Sequence, residues 1–155
     1  MFKNIIIFDL DGTTIDSTHR QATKPDGTLD LQSWFKNATP EKIAQDKVLP
    51  LGRMVSKLSK KAYTMICTAR TLSDADYEFI LANGLKVNKI ISRPKGDMTP
   101  DAELKSQQLG ELFSKPQFRN RNAIMFDDAK SVRSAIRKLG IATLDPDKIN
   151  KRFSQ

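Results

Sequence analysis

The chain has 155 residues, of which 39% are hydrophobic and 28% charged, with a formal net charge of +8 at pH 7. This is the size and balance of one soluble globular domain over residues 1–155 with a core of its own, and no run approaches the roughly 18 apolar residues of a membrane helix. A single cysteine, Cys67, excludes an internal disulfide, and the N-terminus runs directly into a strand with no signal-peptide pattern, so a cytoplasmic location is expected.

The charge is unevenly placed. Residues 1–85 carry 11 Lys and Arg against 10 Asp and Glu, whereas residues 86–155 carry 15 against 8, a net of +7. A basic half of this kind suits an anionic partner such as a nucleotide, a nucleic acid or another phosphate compound. A merely solubilising surface accounts for it equally well.

In chain order, the unbroken apolar run over residues 4–8 predicts a buried strand. It stops at Asp9-Leu10-Asp11-Gly12-Thr13, where two acids at i and i+2 project to one side of the strand end and Gly12 allows a tight turn. Residues 14–38 show weak periodicity and many turn formers, which predicts an irregular excursion or small lid with a hairpin around Pro25-Asp26-Gly27. Thr39-Pro40-Glu41 reads as a helix start, with Thr as cap and Pro at the first position. A helix over 50–61 carries the stripe Leu51, Met54, Val55 and Leu58, and the strand 63–67 follows. A helix over 71–83, capped by a Thr, stops at Gly84. Then come a strand over 86–91, a helix from Thr99-Pro100-Asp101 to about Ser114, a strand over 123–126 and a helix closed by Gly140. A short strand over 141–144 and a terminal helix after Asp145-Pro146 complete the chain.

This alternation predicts an α/β fold: a Rossmann-like parallel five-stranded sheet with helices on both faces and little or no cap domain. In such a sheet the carboxyl ends of the strands face one crevice. The first strand would deliver Asp9 and Asp11, the second Thr68-Ala69-Arg70, the third Ser92-Arg93 and the fourth Asp127-Asp128. Clustered acids need a cation or a shared proton, and hard carboxylate oxygens suit magnesium. The chemistry such a set supports is phosphoryl transfer: one carboxylate attacks phosphorus, and its neighbour moves the proton.

Thr68 is a candidate phosphate contact, and Arg70 and Arg93 offer multidentate ones. Lys105, one turn into its helix, is placed to span nucleophile and phosphate, with Lys95 as the competing lysine. Each of these residues taken alone has a plain structural reading as a cap, a solvated side chain or a surface ion pair. His19 and Cys67 read as incidental, and Trp34 and Phe35 as anchors of the excursion, with base stacking by Trp34 the minority reading.

Asp9-Leu10-Asp11-Gly12-Thr13, Thr68, Lys105 and Asp127-Asp128, in this order, resemble the four motifs of the haloacid dehalogenase-like phosphatases over nearly the whole chain. Thr68-Ala69-Arg70, Arg93-Pro94-Lys95-Gly96-Asp97 and Phe126-Asp127-Asp128 are further similar to the 3′-phosphatase domain of bacteriophage polynucleotide kinase–phosphatase. The resemblance implies Asp9 as nucleophile and Asp11 as general acid and base. It implies Thr68, Arg70, Arg93 and Lys105 as substrate contacts, with Asp97 a further polar residue of that group. Magnesium would be held among Asp9, Asp11, Asp127 and Asp128. No G-x-x-x-x-G-K-[ST] loop is present, so no kinase half is expected in this chain.

Only 54 residues separate Thr13 from Thr68, room for a small lid alone. An open site and a basic half favour nucleic-acid 3′ ends as substrate, in host cytoplasm if the source is viral. The alternatives are a nucleotidase on free nucleoside monophosphates and a non-catalytic nucleic-acid-binding protein on the same scaffold.

Overall fold

The computed structural model describes residues 3–154. Five parallel strands form the sheet: β1 (Asn4–Phe8), β4 (Tyr63–Cys67), β5 (Lys89–Ile91), β6 (Asn122–Phe126) and β7 (Ala142–Leu144), in the order β5-β4-β1-β6-β7. β1 is central. Phe8 pairs with Ile66 on one side and Phe126 on the other. The expected five-stranded parallel sheet with helices on both faces is therefore present.

Side-chain alternation builds a separate core on each face. Ile5 and Ile7 of β1, Met65 and Cys67 of β4, and Met125 of β6 pack with α5 (Asp101–Ser114) and α6 (Lys130–Arg137) through Leu109, Leu112, Val132 and Ile136. Phe8, Ile66 and Phe126 turn to the opposite face. There they meet α3 (Pro50–Leu58) through Leu51 and Val55, and α4 (Asp74–Ala82) through Phe79 and Ile80. The Phe8 and Phe126 rings stack with centroids 5.8 Å apart.

Several boundaries differ from expectation. The helix predicted over 71–83 begins at Asp74, because Ser73 and Asp76 form a reciprocal capping box and Thr71 stays outside. The strand predicted from Lys86 begins at Lys89. The excursion holds more structure than its composition suggests. The hairpin is present as a Thr23–Leu29 bridge, and the chain then forms α1 (Leu31–Lys36), capped by Asp30, and the Thr39-capped α2 (Pro40–Ile43). β2 (Ile15–Asp16) and β3 (Lys47–Val48) pair antiparallel and close the excursion at its base.

The last helix, α7 (Asp147–Arg152), fixes the loop that carries the paired acids. Asn150 is buried; its amide donates to the Thr13 carbonyl (3.0 Å) and its Oδ1 accepts from the Leu51 N–H (2.9 Å). Asn150→Ala would leave both backbone groups buried without partners, and each such group costs about 1–3 kcal/mol. A fall in unfolding free energy of at least about 1 kcal/mol is expected in denaturant titration, and an unchanged midpoint would contradict this role for α7.

Candidate active site

The carboxyl end of β1 delivers Asp9 into a cleft of ≈ 540 Å³ that is also lined by Asp11, Thr68, Arg70, Arg93, Lys105, Asp127 and Asp128. The strand ends therefore do converge, as a doubly wound parallel sheet requires.

At the floor, Lys105 is 2% exposed and its Nζ lies 2.9 Å from Asp9 Oδ1 and 2.7 Å from Asp127 Oδ2. α5 sets this reach. Leu104, Leu109 and Leu112 bury one side of the helix and carry Lys105 inward with them. Asp9 is held further by Thr13, whose hydroxyl donates to Asp9 Oδ2 (3.3 Å), and by Thr14, whose hydroxyl donates to the Asp9 carbonyl (2.9 Å). Burial pushes the Asp9 carboxyl well above its ordinary value; the charges of Asp127 and Asp11 push the same way, and Lys105 opposes them. Burial alone would lower Lys105, but Asp9 and Asp127 more than offset it and keep the ammonium charged.

Asp9, Asp127 and Asp128 each offer one oxygen, all within 4.8 Å of one another. Three carboxylates face a single ammonium, an excess of negative charge that a divalent cation would neutralise, and the all-oxygen donor set suits a hard ion. Gly12, at φ +76°, makes the adjacent turn and needs glycine for that backbone conformation; a Cβ there would also displace the Asp128 carboxylate. The structure places Asp11 apart from this group. Its carboxylate accepts from two nitrogens of Arg70, the Nε at 3.1 Å, and from Ser17 Oγ at 2.7 Å. The expectation that the Asp11 side chain joins the metal group thus meets a different arrangement, because a buried guanidinium competes for it.

Arg70 is itself fixed from behind. Its other terminal nitrogen donates to Asp76, the carboxylate of the α4 capping box, and its backbone N–H donates to Thr68 Oγ1 (3.1 Å). Arg93 lines the cleft but is largely occupied. Four of its five N–H donors go to the carbonyls of Ala69, Asp97 and Thr99 and to Asp101. It thereby ties the loop after β5 to the start of α5, where a free phosphate-binding fork was expected. The Asp97 carboxylate accepts from the Thr99 N–H (2.8 Å). Lys95 is exposed and lies outside the cleft lining, whereas Lys105 lies within it.

His19 Nε2 lies 2.7 Å from Asp46, which also pairs bidentately with the buried Arg20 at 2.9 Å. Burial pushes the Cys67 thiol up to about 12, so it stays protonated and inert. Ser17, Asp76 and the Arg20–Asp46 pair are contributions that sequence reasoning missed. Only Asp76 carried a signal, as the acid three residues after Ser73.

The raised carboxyl of Asp9 gives a signed prediction. The metal-free fold binds that proton more tightly than the unfolded chain does. The stability contributed by this group is therefore full at low pH and is lost as pH rises from the ordinary Asp value through the raised one. A divalent cation competes with the same proton. The Tm increase given by a fixed magnesium concentration should grow with pH across this window and then level off. A magnesium shift that is constant across the acid range would contradict the cluster as a cation site.

Among the described residues, no helix is long and apolar enough to cross a membrane. The fold is shared with solved structures of haloacid dehalogenase-like hydrolases. A haloacid dehalogenase-like hydrolase from Streptococcus pneumoniae matches with a TM-score of 0.65 and 16% identity, over 91% of this chain and 83% of that one. A chain of the Pnkp1/Rnl/Hen1 complex matches with a TM-score of 0.64 and 20% identity over 93% of this chain, which spans 46% of that chain's length. At these identities the likeness is one of fold. The 5′-deoxynucleotidase of Escherichia phage T5 is 34% identical over 98% of this chain and 70% of its own length. The broad resemblance read from the motifs is thus borne out, and the narrower one to a 3′-phosphatase is not carried by this relative. With residues 1–98 also matching the family described as Bacteriophage T5 5′-deoxynucleotidase, the chain belongs to that family.

Proposed function

We propose that the chain is a magnesium-dependent phosphomonoesterase that forms an aspartyl-phosphate on Asp9 and takes nucleoside 5′-monophosphates as substrate. The observation that carries this reading is Lys105 bridging Asp9 and Asp127 at the floor of a carboxylate-lined cleft. The 34% identity to a 5′-deoxynucleotidase supports the choice of substrate over a nucleic-acid 3′ end.

Asp9, Asp127 and Asp128 would hold the cation, which when bound lessens the repulsion between carboxylate and phosphate. An Asp9 carboxylate oxygen forms a bond to phosphorus as the bond to the sugar oxygen breaks. Asp11 gives its proton to that leaving oxygen. To do so its carboxyl turns from Arg70 toward the ester. A water molecule then gives its proton to Asp11 and attacks phosphorus, releasing inorganic phosphate and restoring the Asp9 carboxylate. Thr68, 1% exposed, lines the cleft and serves as a phosphate contact, while Lys105 favours the ionised form of Asp9 against burial and aligns it. Arg70 acts through Asp11, and Arg93 acts through the loop it holds.

Phosphate release from 2′-deoxynucleoside 5′-monophosphates and from 3′-phosphorylated oligonucleotides, with and without magnesium, tests the reading. Mononucleotides are expected to win in kcat/KM by at least about tenfold, a difference of about 1.4 kcal/mol in transition-state binding. The net +7 of residues 86–155 is the observation that favours the polymer-end reading. A preference for oligonucleotides of the same size would establish that reading in its place. Absence of magnesium-dependent release from either would overturn the enzyme.

A further inference from the structure

Four of the nine exposed large apolar side chains among the described residues, Leu29, Leu31, Phe35 and Met98, border the one cleft that ends at Asp9. Single exposed apolar residues need no explanation, but a group gathered along a polar cleft marks a binding surface. α1 sharpens the point. Its six residues include Leu31, Trp34 and Phe35, yet none is buried in the core. Leu31 and Phe35 stand four apart and so share a helix face. Trp34 pins the helix in place: the Arg20 guanidinium lies 4.3 Å from its ring centroid and that of Arg70, the partner of Asp11, lies 5.3 Å away. Met98, 83% exposed, enters the same cleft from the loop between β5 and α5.

We infer that Leu31, Phe35 and Met98 form a clasp for the planar nucleobase of the substrate. This rests on the reading of Asp9 as the site of phosphoryl transfer. With the phosphate fixed at the carboxylates, whatever lies against the apolar wall is the remainder of the same molecule. A pentose offers only a small C–H face between its oxygens and gains little from a phenyl ring and a thioether. A nucleobase has a π face that stacks on the one and suits the polarisable sulfur of the other. The cleft, at ≈ 540 Å³, lies within the range of about 300–1,000 Å³ found for small-molecule sites.

The test compares thymidine 5′-monophosphate with deoxyribose 5-phosphate, which carries the same phosphoester without a base. Phe35→Ala and Met98→Ala should each lower the ratio of their kcat/KM values by about tenfold, chiefly through KM for the nucleotide. A second readout does not depend on turnover. Trp34 is the sole tryptophan and lines the cleft, so its emission reports occupancy. In the Asp9→Asn protein, thymidine 5′-monophosphate should quench it with a Kd about tenfold tighter than deoxyribose 5-phosphate, and Phe35→Ala should remove that advantage. An unchanged kcat/KM ratio in both variants, or equal Kd values for the two ligands, would overturn the clasp. Failure of the wild-type protein to release phosphate from either compound would defeat the phosphatase reading instead, and the Trp34 titration would still decide whether a base is bound.

Discussion

Asp9→Asn should lower magnesium-dependent phosphate release at least about a thousandfold, because an amide can neither attack phosphorus nor supply an anionic oxygen to a cation. The fold should survive. Asp9 is buried, and burial already favours its neutral form, so a neutral isostere sits there with little strain. The variant also lowers the repulsion among the carboxylates while Lys105 keeps Asp127 as its partner at 2.7 Å. Two measurements check this together. Circular dichroism should give a Tm within a few degrees of wild type, and the Tm increase caused by magnesium should shrink or vanish. Retained turnover in a folded Asp9→Asn protein would reject the covalent route.

Lys105→Met should have the largest effect on stability. The ammonium is the positive partner that the floor of the cleft supplies to both Asp9 and Asp127. Methionine preserves most of the volume and removes the charge, so two buried carboxylates lose their partner together. Removing one side of a buried ion pair costs about 3–5 kcal/mol. The sign with pH follows from the carboxylates left behind. Without Lys105 the Asp9 carboxyl is harder still to ionise in the folded state, so the deficit relative to wild type should narrow on acidification, as protonation relieves it. Magnesium should narrow it too, by standing in for the missing charge. Denaturant titrations at neutral and acid pH, with and without magnesium, read all of these effects. A deficit that neither acid nor magnesium alters would mean that Lys105 is merely a packing residue.

The sheet was legible because each of its strands is a short apolar run ending in a turn or a polar group. For the strand 63–67 the expected and observed bounds coincide, since an unbroken buried strand leaves no ambiguity about its ends. α1 was hidden for a physical reason. It contributes nothing to the core, so no core-facing periodicity marks it, and its only cue is Asp30 accepting from the N–H groups of Gln32 and Ser33. The same independence from the core is what leaves Leu31 and Phe35 facing the cleft. The start of α4 was misplaced because Thr71 was read as the cap, whereas the reciprocal bonds between Ser73 and Asp76 make Ser73 the cap.

At the site, which residues meet was legible from the strand pattern, but which partner each one takes was not. Asp11 and Arg70 are 59 positions apart, and the guanidinium could as well have pointed at a phosphate. Arg93 carries the same ambiguity in the sequence, and in the fold the carbonyls of Ala69, Asp97 and Thr99 surround it. Arginine forks are claimed by whichever acceptors the loops bring near them, and loop paths carry little periodic signal.

The account stands or falls on a phosphoryl group passing through Asp9. The direct measurement is acid quenching of the protein during turnover of a nucleoside 5′-monophosphate with magnesium, followed by mass spectrometry of the peptide that contains Asp9 and Asp11. The account predicts the added mass of one phosphoryl group on Asp9, lost on mild alkaline treatment and absent from Asp9→Asn. Turnover at full rate with Asp9 unmodified, or with the phosphoryl group on another residue, would contradict it.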